Sequence, residues 1–201
     1  RIARAIKKKS KIGYVIGGWH GSVDALLYKS SNNLKPLEIS SGLAKENEKN
    51  LVMLPYNDIE KTKKILDKNK KNMSSVIIEP IQGSLPDPNI KNYLKFLEKY
   101  CKKNNLILIF DEMITGLRTD FSCIQKYFGI RSDITLFGKC FGAGYPIGII
   151  IINKKIQDNL SKLKRKVFFG GTFSGNSFVS FVGNETFNYI KNLSLPLIGT
   201  F

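Results

Sequence analysis

Two side chains with complementary chemistry stand at the ends of two apolar runs. Leu106 to Phe110 leads into Asp111 and Glu112, and Ile134 to Phe137 leads into Gly138 and Lys139. Unbroken apolar runs of this length read as strands buried on both faces of a parallel sheet. The stretch between them is long enough for one right-handed crossover, so an aspartate and a lysine would face one crevice. In an open α/β sheet, ligands sit at the carboxyl ends of the strands. Gly142, Gly144 and Gly148 follow the lysine and would let something bulky approach the backbone. An amine, a carboxylate and room for a ring suggest pyridoxal phosphate. Lys139 would form a Schiff base with the aldehyde, and Asp111 would keep the pyridine nitrogen protonated so that the ring accepts electrons. The spacing alone leaves a plainer reading equally open, with Lys139 a surface lysine and Asp111 a helix cap.

The elements that must position these groups follow from periodicity. Ile2, Ala5 and Ile6 have helical spacing, and Lys7 to Lys9 suit a helix C-terminus. Lys11 to Ile16 reads as a strand that breaks at Gly17-Gly18. Ser30 to Asn50 is polar and irregular, and is expected as a surface loop near the mouth of a site. Leu51 to Leu54 reads as a short strand. Asn57 or Asp58 would cap a helix to about Asn69, with Ile59, Ile65 and Leu66 inward and its lysine runs solvated. Ser75 to Ile78 reads as a buried strand ending in Glu79-Pro80. Asn89 to Asn104 predicts an amphipathic helix with Ile90, Tyr93, Leu94, Leu97, Tyr100 and Cys101 as its apolar stripe. Gly116 to Arg118 would open a loop and helix carrying Phe121, Ile124 and Phe128. Pro146 to Ile152 reads as a strand and Ile156 to Leu163 as a short helix. Phe168 to Asn176 would open a last helix, Ser177 to Leu193, with Phe178, Phe181, Val182 and Ile190 as packing residues. Together these give an α/β domain: a mostly parallel sheet with helices on both faces.

Several segments resemble one enzyme family closely. DEMITGLR and DITLFGKCFGAGYPIG resemble the class III aminotransferases, a branch of the fold type I pyridoxal-phosphate enzymes, and within them the aminomutase-like members. The resemblance implies pyridoxal phosphate as cofactor, Lys139 and Asp111 as catalytic residues, and small amino and oxo compounds as substrates. It also implies that Gly18-Trp19-His20-Gly21 is the family's aromatic turn, with Trp19 stacked on the cofactor ring and His20 beside it. An aromatic face suits a flat, cation-bearing ring, although a core Trp beside a turn would look the same in sequence. Met113 would pack on the opposite ring face through its polarizable thioether. EPIQGS, Glu79 to Ser84, resembles the family's Glu-Pro turn, a rigid turn on the binding edge. FFGGTFSGN resembles the segment whose threonine binds the cofactor phosphate of the neighbouring subunit, so Thr172 would complete the site of a homodimer. Glycines before a threonine at a helix start suit an anion, while capping alone would also satisfy Thr172. The clustered Phe168, Phe169, Phe173, Phe178 and Phe181 suit either an interface or a core.

Three positions depart from the family pattern. Ile114 stands where many aminotransferases of this class have Gln, Ser84 where the aminomutases have Asn, and Ser22 where they have His. Ser84 could still donate one hydrogen bond to the cofactor. The residues therefore leave mutase and transaminase chemistry both open. The first cofactor-phosphate loop and the C-terminal substrate domain of the family have no counterpart, so residues 1–201 are expected to be an incomplete pyridoxal-phosphate-binding large domain.

Composition narrows the alternatives. The net charge is +16, but among 32 Lys and Arg only Arg1, Arg4, Arg118, Arg131 and Arg165 are arginines. The lysines alternate with Asn and Ile on helix faces, the pattern of a solvated surface and not of a nucleic-acid reader. Two other classes compete with the enzyme: a catalytically inactive relative serving as an interaction module, which the retained Lys139, Asp111 and Thr172 argue against, and a basic nucleic-acid-binding domain, for which no motif is present. Cys101, Cys123 and Cys140 lack paired or metal-like spacing and fit a reducing cytoplasm. A lone histidine argues against a His-based metal site. No apolar run approaches the roughly 18 residues of a membrane span.

Overall fold

The structure is a computed structural model that describes residues 1–118 and 123–192. Its strands in chain order are β1 (Lys11–Val15), β2 (Tyr28–Ser30), β3 (Pro36–Glu38), β4 (Leu51–Leu54), β5 (Met73–Ile78), β6 (Ile107–Asp111), β7 (Ile134–Gly138) and β8 (Gly148–Ile152). The helices are α1 (Ile2–Lys7), α2 (Ile59–Asn69), α3 (Lys91–Lys103), α4 (Ile124–Phe128), α5 (Lys154–Ser161) and α6 (Ser177–Asn192). One sheet runs β4-β1-β5-β6-β7-β8, and all its pairs are parallel except β7 with β8. The expected α/β architecture with a mostly parallel sheet is what the chain adopts.

The side-chain alternation of the strands sorts the core. Val15, Leu54, Val76, Ile78, Leu108 and Phe110 point to one face and pack under α2, α3 and α4. Ile107 and Ile134 point to the other, against Ile2 and Ala3 of α1 and Ile156 of α5. Farther along that face, Tyr14, Leu51, Met53 and Ile77 pack with Tyr28. The predicted stripe of α3 is buried at every position, from Ile90 to Cys101. Asp58 caps α2, accepting from the Lys61 backbone N–H at 2.9 Å.

Other expectations are corrected. The Ser30 to Asn50 stretch is not wholly irregular: Ser30 and Pro36–Glu38 belong to an antiparallel hairpin, β2–β3, seated by the buried Tyr28. Ile59 is exposed, because the inward stripe of α2 runs through Thr62 and Leu66 and the first turn lies outside it. The Thr62 hydroxyl is satisfied by the Pro55 carbonyl and the Tyr93 hydroxyl. In α6, Gly183 is the buried residue, while Phe178 and Phe181 are exposed. Phe121 and Leu193 lie outside the described residues.

Candidate active site

Asp111 is the last residue of β6, opposite Leu136 of β7, and is buried. Its Oδ1 accepts the Met113 backbone N–H at 3.1 Å. Its Oδ2 lies 2.8 Å from His20 Nδ1. An ionised carboxylate can only accept, so Nδ1 carries the proton. The other ring nitrogen, Nε2, is buried without a hydrogen-bond partner among the described residues, and the ring edge meets Tyr14. A carboxylate offers about four lone-pair sites, so Asp111 can still accept another donor.

Lys139 follows the last residue of β7 directly. It adopts φ 44°, in the left-handed region, which costs an L-residue about 1–2 kcal/mol. Such outliers cluster at functional sites. Lys139 and Asp111 open into one cavity of about 370 Å³, whose lining includes Trp19, His20, Met113 and Gly148. The Met113 thioether lies across Gly138, where an added Cβ would stand 2.5 Å from its Cε and 2.6 Å from the Ile147 carbonyl oxygen. A glycine immediately before Lys139 is therefore what lets Met113 reach the cavity. Of the three later glycines, Gly148 lines the cavity and Gly142 instead packs toward Ile147.

Two expected contributors sit elsewhere. The Ser84 hydroxyl donates to the Gly17 carbonyl at 3.2 Å, and Ser84 is not among the cavity's lining residues. Thr172 lies in an exposed turn ahead of α6, which begins at Ser177 as expected. Asn176 takes the helix start, its side chain accepting the Val179 N–H at 3.1 Å. Thr172 lines a neighbouring concavity that shares Gly148, Ile149 and Ile150 with the first.

Glu112 carries a role that its position in the sequence does not announce. It is buried; Oε2 accepts the Thr115 hydroxyl at 3.0 Å and the Ile124 N–H at 2.8 Å, and Oε1 accepts Gln125 Nε2 at 3.1 Å. Burial pushes its carboxyl above the usual range, and these donors oppose the shift. The bonds tie the loop bearing Met113 to the start of α4. The only signal for Glu112 was a charge directly after a buried strand.

Known proteins resemble this chain in sequence and in fold. A glutamate-1-semialdehyde 2,1-aminomutase from Methanococcus vannielii is 36% identical over 195 residues, covering 96% of this chain and 45% of the relative. The chain thus spans about half the length of the curated relatives it matches. Among solved structures, an omega-transaminase from Sphaerobacter thermophilus superposes with a TM-score of 0.85 at 27% identity, covering 97% of this chain and 46% of that one. A transaminase with PLP bound gives 0.83 at 26% identity, covering 94% and 45%. The family whose description is aminotransferase class-III matches residues 1–196. With nearly every residue matched, and with Lys139, Asp111 and Trp19 around one cavity at the carboxyl edge of the expected sheet, the chain belongs to the class-III aminotransferases.

Proposed function

We propose that this chain carries the pyridoxal-phosphate site of an enzyme that moves amino groups, between two small amino and oxo compounds or within one molecule. The observation that carries this reading is that Lys139 and Asp111, from adjacent strands, open into the same cavity beside Trp19 and Met113. The residues fit the cofactor: the cavity falls within the range of roughly 300–1,000 Å³ usual for small ligands, and its donor set is one amine, one carboxylate and an aromatic plane. When bound, pyridoxal phosphate supplies an aldehyde that condenses with amines and a ring that takes up electrons. Lys139 Nζ would provide the resident amine and would move a proton at the substrate carbon. Asp111 holds a proton at the ring nitrogen, and His20 Nδ1–H keeps the carboxylate aimed. Trp19 and Met113, which both line the cavity, would hold the ring between them. Ser84, its hydroxyl engaged by Gly17, supports the turn beside the site.

Residues 1–201 are read here as the cofactor-binding large domain. The working unit is read as at least a dimer, with Thr172 reaching the phosphate held by the partner. The exposure of Phe168, Phe169, Phe173, Phe178 and Phe181 supports an interface over packing within one chain. The proteins this chain resembles include some named aminomutases and some named transaminases, so the reading covers both.

The test is covalent. Full-length protein incubated with pyridoxal phosphate and reduced with borohydride should retain the cofactor on the peptide containing Lys139. Lys139→Ala should abolish the label and the amino-transfer activity. A reducible adduct that persists in the variant would overturn the assignment.

A further inference from the structure

The turn between β1 and the cavity is held from outside itself. Gln82 Nε2 donates to the Ile16 carbonyl at 2.7 Å, Ser84 Oγ to the Gly17 carbonyl, and the Tyr14 hydroxyl to the Gly18 carbonyl. Gly17 has φ +90°, and a Cβ there would stand 2.6 Å from Gln82 Oε1, so the turn closes this tightly only on glycine. The remaining tie is Glu79. This buried carboxylate accepts the Trp19 N–H through Oε1 and the Gly83 N–H through Oε2, the latter at 2.9 Å. One side chain thereby joins the turn after β1 to the turn after β5. Burial, with the Glu79 charge adding to it, pushes the Tyr14 hydroxyl up to about 12.

Trp19 needs such a tie. Its indole is 55% exposed, so packing of the ring does little to fix where it points. Its direction must come from the backbone beneath it, and there the bonded partner of its amide is Glu79. We propose that Glu79 is a positioning residue: by accepting two backbone N–H groups from two turns at once, it sets the height and direction at which Trp19 enters the cavity. This rests on the reading of the cavity as a ring-binding site. It gives the Glu-Pro-Ile-Gln-Gly-Ser segment a use beyond making a rigid turn: Glu79, Gln82 and Ser84 all grip the aromatic turn, and Glu79 alone grips Trp19.

Full-length Glu79→Gln and Glu79→Ala test it, by amide hydrogen exchange without cofactor and by visible circular dichroism with pyridoxal phosphate. Glutamine keeps the shape but has one acceptor oxygen, so at most one of the two bonds survives. Exchange at the Trp19 and Gly83 amides should accelerate roughly ten- to a hundredfold, the usual effect of losing a bond to a charged acceptor. Amides of β5 and β6 should keep their protection. With cofactor, the dichroic band of the bound chromophore should weaken as it does in Trp19→Ala. Unchanged exchange at both amides would overturn the proposal. So would protection lost equally across β1, β5 and β6, which would make Glu79 a general structural residue. Failure of the parent protein to bind pyridoxal phosphate would sink the functional reading, while accelerated exchange in Glu79→Gln would still uphold the tie to Trp19.

Discussion

Helices α3 and α6 both carry a row of large apolar side chains, and the molecule treats them in opposite ways. In α3, Tyr93, Leu94, Leu97, Tyr100 and Cys101 are all buried against the sheet. In α6, Phe178 and Phe181 remain 55% and 63% exposed, and Phe168 and Phe173 of the preceding segment are barer still, at 74% and 81%. The difference lies in what each helix is offered. α3 connects β5 to β6, so the chain itself supplies the surface it covers. α6 sits on the short helical turn that starts at Lys139, with Gly183 close under Ile147 and Tyr145 meeting Phe178 edge-on. Only its small-residue side is accommodated there. Apolar periodicity states that a side chain needs cover, and topology decides whether this chain provides it.

The sharpest way to break this contrast is to truncate one residue on each side. Leu97→Ala in α3 should cost about 2–5 kcal/mol, since a fully buried leucine loses both transfer energy and packing. Urea unfolding of the full-length protein measures it. An equal loss from Phe181→Ala in protein held dilute enough to be monomeric would erase the distinction. The next largest effect should be on assembly. Phe178→Ser and Phe181→Ser together should shift the full-length protein toward monomer in sedimentation, because desolvated aromatic anchors carry much of an interface's energy. Unaltered sedimentation would assign the cover of α6 to another part of the same polypeptide.

The contrast also explains how much was legible beforehand. Leu106 to Phe110 and Ile134 to Phe137 could be read because strands buried on both faces leave no alternative pattern, and with them came Asp111 and Lys139. The stripe of α3 was legible for the same reason. Ile59 was misplaced because periodicity gives the phase of a helix and not where its first turn leaves the core. The start of the last helix at Ser177 was legible, but the capping role weighed for Thr172 belongs to Asn176. Tyr28, buried at 1%, ends an apolar run, Ala25 to Tyr28, too short to show a period. Glu79 could be noticed only as part of a turn motif, and Glu112 only as a charge beside a strand end. Their partners are backbone amides and, for Glu112, also the side chains of Thr115 and Gln125, brought together by the fold, which one-dimensional spacing does not encode. The left-handed backbone at Lys139 had no sequence signal either, because lysine is not a residue that advertises positive φ.

The smallest effect should come from a polar tie on the well-covered side. Asp67 of α2 accepts the Tyr100 hydroxyl of α3 at 2.8 Å and Lys70 Nζ at 2.9 Å through Oδ1, and Lys63 Nζ at 3.0 Å through Oδ2. The Lys70 bond first, then those from Tyr100 and Lys63, hold its carboxyl well below the usual carboxylate range. A carboxyl whose folded pKa is depressed binds its proton more weakly folded than unfolded. Its contribution is therefore present above about pH 4 and fades as pH falls through the folded value. Asp67→Asn should flatten the acid limb of the thermal stability profile and change little at neutral pH, because ion pairs in water are weak and salt-screened. Added salt should shrink the difference between variant and parent. Should Asp67→Asn instead destabilise the protein at neutral pH as much as Leu97→Ala, α3 would be held chiefly by its polar rim, and the contrast with α6 would no longer rest on buried apolar surface.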